Sequence, residues 1–195
     1  MGNQLWMYGL AGLLLSGSTA GVTTVYRNQS PPAIAQHSMG MQWTDQSFIE
    51  MMIPHHQDAI EMAEMALQKA QHPELKTLAQ NIIRDQEQEI KEMTTWYQQW
   101  FGKAVPPLSN QGMMGMHQGH DMMAMDLKAL ETATNFDQEF IRQMIPHHQM
   151  AVMMASNLKT NTDRPEMDKL MDGIIRSQSA EIKQMKQWYQ AWYGQ

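Results

Sequence analysis

The sequence predicts an all-α fold: a four-helix bundle made of two tandem antiparallel helical hairpins, behind an N-terminal hydrophobic segment. Three observations lead there. First, Phe48-Ile49-Glu50-Met51-Met52-Ile53-Pro54-His55-His56-Gln57 returns 92 residues later as Phe140-Ile141-Arg142-Gln143-Met144-Ile145-Pro146-His147-His148-Gln149. The match continues without a gap to Gly102 and Gly194, with roughly half of the aligned positions identical, which marks an internal duplication. Second, apolar residues in each copy recur at spacings of three and four, the period of a helix face. Third, each copy is interrupted once, at Pro73 or Pro165, so each holds two helices.

Residues 1–35 read as a signal peptide or a retained membrane anchor. Leu5 to Leu15 is apolar apart from Gly9 and Gly12, and no Asp, Glu, Lys or Arg precedes Arg27. The stretch Leu5–Val25 is about as long as a bilayer span, roughly 20 residues. Ala33-Ile34-Ala35 forms a small-x-small site, so cleavage before Gln36 is expected if the segment is a signal. Either reading places the rest of the chain outside the cytoplasm, in a periplasmic or other extracytoplasmic compartment, although Arg27 mildly opposes that orientation. Any membrane contact is then made through this segment alone. Residues 36–43 form a short tail carrying His37, Met39 and Met41.

Residues 44–102 are the first hairpin. Phe48, Met52, His55, Ala59, Met62 and Ala66 make one helical stripe, and Leu75, Leu78, Ile82, Gln86, Glu89, Met93, Trp96 and Trp100 make another. Pro73 suits a first helical turn, which puts the turn near His72, and Gly102 sits where a helix stops. Pro54 lies inside the first helix, so a kink or a fresh helix start is expected there. Residues 103–134 are a linker, too long for a simple helix connection. A short helix is expected over Asp121–Thr132. Residues 135–195 repeat the hairpin, with Asn135 as N-cap and a turn near Arg164.

The composition narrows the function. The 195 residues include 22 Met and no Cys, with a formal net charge of −6. Without Cys there is no disulfide framework, no thiolate zinc site and no Cys nucleophile. An acidic chain poor in Lys and Arg carries no nucleic-acid footprint. Glu-x-x-His, His-Glu-x-x-His and phosphate-binding loops are all missing, which argues against di-iron, zincin and nucleotide enzymes. Methionine is flexible core filler, but it is also a soft thioether ligand for Cu(I).

Three constellations could hold metal. In an antiparallel hairpin that turns at residue 72, Met52, His55, His56, Glu89 and Met93 converge. The duplication converges Met144, His147, His148, Glu181 and Met185, giving one site per hairpin. Imidazole with thioether suits copper, and a carboxylate adds affinity for Cu(II). Structural His–Glu hydrogen bonding inside a helical interaction module is the alternative reading of the same residues. The second constellation is the linker cluster of Met113, Met114, Met116, His117, His120, Met122, Met123 and Met125, where closely spaced thioethers can wrap a soft ion without losing protons. Its alternative is plain low-complexity sequence. The third is His37, Met39 and Met41. Silver suits the same thioethers.

The repeated Met-Ile-Pro-His-His-Gln motif, with the Ile-Ile-Arg and Trp-Tyr segments that follow it, resembles a bacterial helical family known as domain-of-unknown-function family 305. The tandem copies cover Asp45–Gly102 and Asp137–Gly194. With the Met/His linker, the resemblance implies copper sequestration or buffering at His55, His56, His147 and His148, with Met52 and Met144 beside them. The copies diverge at Asp58/Met150, Glu61/Met153 and Met65/Asn157, which departs from two equal sites. The expected protein is therefore non-catalytic and binds Cu(I) in preference to Cu(II), for copper resistance or homeostasis. A copper-sensing or copper-export protein is its expected partner. A copper oxidase acting on Cu(I) is the enzymatic alternative, although no substrate-binding groups identify it.

Overall fold

The computed structural model describes residues 44–107 and 125–194. The N-terminal segment, the tail and Leu108 to Ala124 of the linker lie outside the described residues. The described residues form five helices and no strand: α1 (Asp45–Lys69), α2 (Pro73–Phe101), α3 (Leu127–Thr132), α4 (Phe136–Lys159) and α5 (Pro165–Tyr193).

Local chemistry accounts for the boundaries. Thr44 caps α1 in a capping box: its Oγ1 accepts from the Ser47 amide at 3.2 Å, and Ser47 Oγ accepts from the Thr44 amide at 3.0 Å. Asn135 caps α4 by accepting from the Gln138 amide at 3.1 Å. Pro73 and Pro165 open α2 and α5, where the missing amide proton costs nothing. Gly102 ends α2 in the left-handed region at φ 67°, which glycine adopts without a Cβ penalty.

Both α1 and α4 run on through their internal prolines, Pro54 and Pro146. Each ring removes the amide that would bond the carbonyl four residues back, on Glu50 or Arg142. Burial of Ile49, Met52 and Ile53 around Pro54 holds the helix across the lost bond. The weakened turn lies immediately before each histidine pair.

α1 packs on α2, α4 packs on α5, and the two hairpins meet through α1 against α4. One core cluster joins the start of α1 and the end of α2 to the end of α4 and the start of α5, through Phe48, Met52, Met93, Tyr97, Met154, Leu158 and Met171. The other joins the end of α1 and the start of α2 to the start of α4 and the end of α5, through Met62, Leu75, Ile82, Phe140, Met144 and Met185. α1 and α4 are therefore antiparallel, and their histidine pairs fall at the crossing.

Two crossed clasps tie the hairpins at their turns. Asp137, in the first turn of α4, is 1% exposed. Its carboxylate accepts from the Gln71 amide at 3.0 Å, the His72 amide at 2.9 Å and the His72 ring Nδ1 at 2.6 Å. The His72 ring lies flat on Trp192 with centroids 3.6 Å apart. The repeat reproduces the device with a different donor. Asp45 accepts from Arg164 Nε at 2.9 Å, and the Arg164 guanidinium lies 4.2 Å over Trp100. Each turn is thus held by the first acid and the last tryptophan of the other hairpin.

The end of the linker is part of the bundle. Asp126 caps α3, its amide donating to Gln143 Oε1 and its carbonyl accepting from Gln143 Nε2, each at 3.1 Å. Leu130 is buried, and Met125 and Leu127 pack on the core. Lys69 Nζ donates to the Glu131 carbonyl at 2.9 Å. The short helix expected from residue 121 is observed from Leu127, with Asp121 itself outside the described residues.

The clasps generate a prediction. Asp137→Ala strips three donors at the turn of their buried acceptor and should cost about 2–4 kcal/mol. Asp45→Ala removes one bond to a partly exposed guanidinium and should cost about 1 kcal/mol. Urea unfolding measures both. Equal losses would contradict the burial difference between the clasps.

Candidate metal centre

His55 and His56 are neighbours on α1, about 100° apart around its axis. They face different partners. His55 reaches across to α4 and stacks on His147, with ring centroids 3.6 Å apart and planes at 29°. His56 turns to α2, where its Nε2 lies 2.7 Å from Glu89 Oε2. His148 repeats this with Glu181 of α5 at 2.6 Å. All four imidazoles are buried: His56 and His148 are 0% exposed, His55 8% and His147 6%.

Six ring nitrogens in this cluster are buried without a well-aligned hydrogen bond: both nitrogens of His55 and of His147, which keep only a backbone contact with each other's segment, and Nδ1 of His56 and His148. The amide oxygens of Gln86 and Gln178, one helical turn from the glutamates, are orphaned in the same way. Leaving a buried polar atom unpaired costs about 1–3 kcal/mol. Packing requirements do not call for several such costs in one place. Neutral imidazoles each retain one lone pair, and amide oxygens are acceptors, so a cation is a species that could satisfy them together.

The electrostatics agree with a cluster that keeps its lone pairs free. Burial, followed by repulsion from His56 and His148, lowers His55 from its usual 6.5 to about 3. Burial and then His148 lower His56 to about 3. His147 falls well below the ordinary range, first from burial and then from His55. Burial raises Glu89 from 4.5 to about 8, with help from the charges of Asp85 and Glu181. In the ion-free protein the His56–Glu89 pair is therefore neutral. A cation at His56 Nδ1 would favour an ionised Glu89 that accepts from Nε2–H. That is the carboxylate–imidazole arrangement which orients metal-binding histidines. On this geometry Glu89 and Glu181 would stand behind the rings as orienting partners of any ion held at Nδ1.

Among the described residues, no three His, Asp or Glu side chains are arranged as a metal shell. Stacked rings direct their lone pairs along nearly parallel planes, so one ion held by both His55 and His147 would need these rings to turn about their side-chain bonds. The donor set still fits a borderline or soft ion: neutral imidazoles in the centre, and thioethers close by along the same helices. Met52 lies one turn before His55 and Met144 one turn before His147, both 0% exposed. Met93 shares a core cluster with Met52, and Met185 shares one with Met144.

The structure thus places the sequence-derived residues of each hairpin together and then joins the two sets. His55 and His147 turn two expected sites into one cluster that spans both hairpins. Periodicity alone does not show this, because the contact crosses between repeats. Gln86 stands on the core stripe read from the sequence, and Gln178 is its counterpart 92 residues later, which that reading did not single out. Met125 is half-buried against the bundle. The other linker candidates, Met113, Met114, Met116, His117, His120, Met122 and Met123, lie outside the described residues, as do His37, Met39 and Met41.

Fold and site together define a tandem-hairpin helical bundle with a paired-histidine core. The family described as Domain of unknown function (DUF305) matches residues 45–189, and the chain belongs to it. Among solved structures, CopM in its Cu(II)-bound form is similar at 84% identity with a TM-score of 0.72, covering 78% of this chain and 100% of that one. CopM in its Cu(I)-bound form gives 78% identity and a TM-score of 0.69, covering 78% of this chain and 99% of the other. A DUF305 protein from Streptomyces coelicolor is 28% identical with a TM-score of 0.61, covering 72% of this chain and 88% of that one. No curated protein matches.

The buried rings predict a pH profile for the ion-free protein. Below 6.5 the unfolded chain takes up protons that His55, His56 and His147 refuse in the fold, so acid destabilises. Glu89 acts oppositely: its contribution is present below 4.5 and is lost as pH rises towards 8. With three histidines against one glutamate, stability should climb by about 3 kcal/mol per pH unit between 4.5 and 6.5. It should peak near 6.5 and decline towards 8. Urea unfolding across this range in the presence of chelator measures it, and a flat profile would contradict the neutral, unpartnered cluster.

Proposed function

We propose that this chain is a non-catalytic copper-binding protein of an extracytoplasmic compartment. It lowers free copper by holding Cu(I), and also Cu(II), for copper resistance or homeostasis. The observation that carries the reading is the set of six orphaned imidazole nitrogens buried where the hairpins cross. A purely structural His–Glu module would pair its ring nitrogens. Here the glutamates satisfy one nitrogen each on His56 and His148 and leave the others open.

The similarity to CopM, solved in Cu(I)-, Cu(II)- and Ag-bound forms, supports copper as the cargo and silver as its surrogate. Thioethers favour Cu(I), and imidazoles accept either oxidation state. Met52, Met93, Met144 and Met185 supply sulfur around the centre. The linker and tail methionines and histidines supply further donors of the same two kinds. Thioethers keep binding where thiols would be oxidised, which suits a chain of 22 Met and no Cys outside the cytoplasm. A copper-sensing or copper-export protein is the natural recipient of the ion.

Replacing His55 and His147 together by Leu separates the two readings. As copper ligands, their loss should remove the Cu(I) held in the bundle and so lower the stoichiometry in an anaerobic competition titration, leaving only what the linker and tail bind. Thermal stability should hold or rise, because orphaned polar atoms leave the core. If the histidines serve structure alone, the variant should lose stability and keep full copper uptake. That second pattern would overturn the proposal.

A further inference from the structure

The two faces of the α1–α4 crossing carry different chemistry. On one face, Met150 lies one turn beyond His147 and Met153 one turn further, so Met150 neighbours both and the three form a row that winds about 120° around α4 from centre to surface. Exposure is graded along them: Met153 is 48% exposed, Met150 half-buried and His147 6%. Among the described residues, Met153 is the large hydrophobic side chain left exposed. Met51 approaches from α1, one turn before His55. It is half-buried against the same core cluster as Met150. The antiparallel register set by the His55–His147 stack brings Met51 level with Ala151, next to Met150.

The other face is the repeat-related copy, and its donors are oxygens. Asp58 and Glu61 stand where the first face has Met150 and Met153, and Gln143 stands where it has Met51. Asp58 and Glu61 are exposed, and Gln143 is buried and bonded to the α3 cap. Copies that share the histidines, the glutamates and the clasp acids thus differ in a line from surface to centre. Met51 and Met150 also pack on the core, whereas Met153, 48% exposed, has no such packing to account for it.

Resting on the metal-centre reading above, we infer that Met153, Met150 and Met51 form a one-sided port, through which a soft monovalent ion reaches His147 and His55. Thioethers are neutral at every pH and bind soft ions without releasing a proton, so an ion can step between them by ligand exchange alone. Each step leads to a more buried position and ends at imidazole nitrogens that have no other partner. The oxygen-lined face offers hard donors, which a soft ion does not prefer.

The test follows Ag(I) loading of the full chain by rapid mixing and by NMR of the histidine rings. Met150→Leu with Met153→Leu keeps volume and apolarity, and a wild-type circular dichroism spectrum checks the fold. The port predicts that the ring signals of His55 and His147 shift about tenfold more slowly in this variant, with unchanged final occupancy. With methyl-labelled methionine, the Met150 and Met153 methyls of the wild type should shift before the ring signals do. Asp58→Asn with Glu61→Gln should load at the wild-type rate. Unchanged loading in the methionine variant, or equal slowing in the acid variant, overturns the port. Ring signals that stay still in the wild type at saturating Ag(I) would instead remove the metal centre itself.

Discussion

Four imidazoles buried between two hairpins, most of their nitrogens without partners, are the constraint on which the rest of this structure depends. A bundle of this size could fill the same volume with leucine and gain stability. Instead it places His-His immediately after a proline, where α1 and α4 each lack one backbone bond. Core clusters on both sides of the crossing, and clasps at both turns, hold the hairpins together around it. The cost of unpaired polar atoms at the centre is offset by packing and hydrogen bonding elsewhere, which is how functional sites are usually carried.

Much of the fold was legible because its determinants are local. The three-and-four spacing, Pro73 and Pro165 at helix starts, Asn135 as a cap and Gly102 as a stop each act within a turn or two of chain. The hairpin register was legible to within one residue. Counting from His72 sets His55 opposite Glu89, whereas the structure pairs His56 with Glu89. That difference is a rotation of about 100° around α1, which depends on how α4 packs and not on α1 and α2 alone. The His55–His147 stack and the clasps were not legible for the same reason. Their partners belong to different repeats, and periodicity within a helix does not encode which faces of two hairpins meet. The 92-residue relation of Asp45 to Asp137 and of Trp100 to Trp192 was visible, but not that each reaches across to the other hairpin's turn.

Duplication also explains where the molecule is asymmetric. The shared residues build the centre and the frame, and the divergent ones surround it. His72 in one clasp and Arg164 in the other serve the same geometry with different donors. Met150 and Met153 replace acids along one approach to the histidines. The methionines therefore fall into distinct groups. Met52, Met93, Met144 and Met185 are buried close to the centre, Met62, Met154, Met167 and Met171 are core, and Met51, Met150 and Met153 line the approach.

The most direct measurement is anomalous scattering at the copper edge from crystals of the full chain loaded with Cu(I). A copper peak is expected at the crossing of α1 and α4, within bonding distance of His55 or His147 and of the Nδ1 atoms of His56 or His148, with the stacked rings turned apart. Copper found only on the linker and tail, with His55 and His147 still stacked, would contradict it.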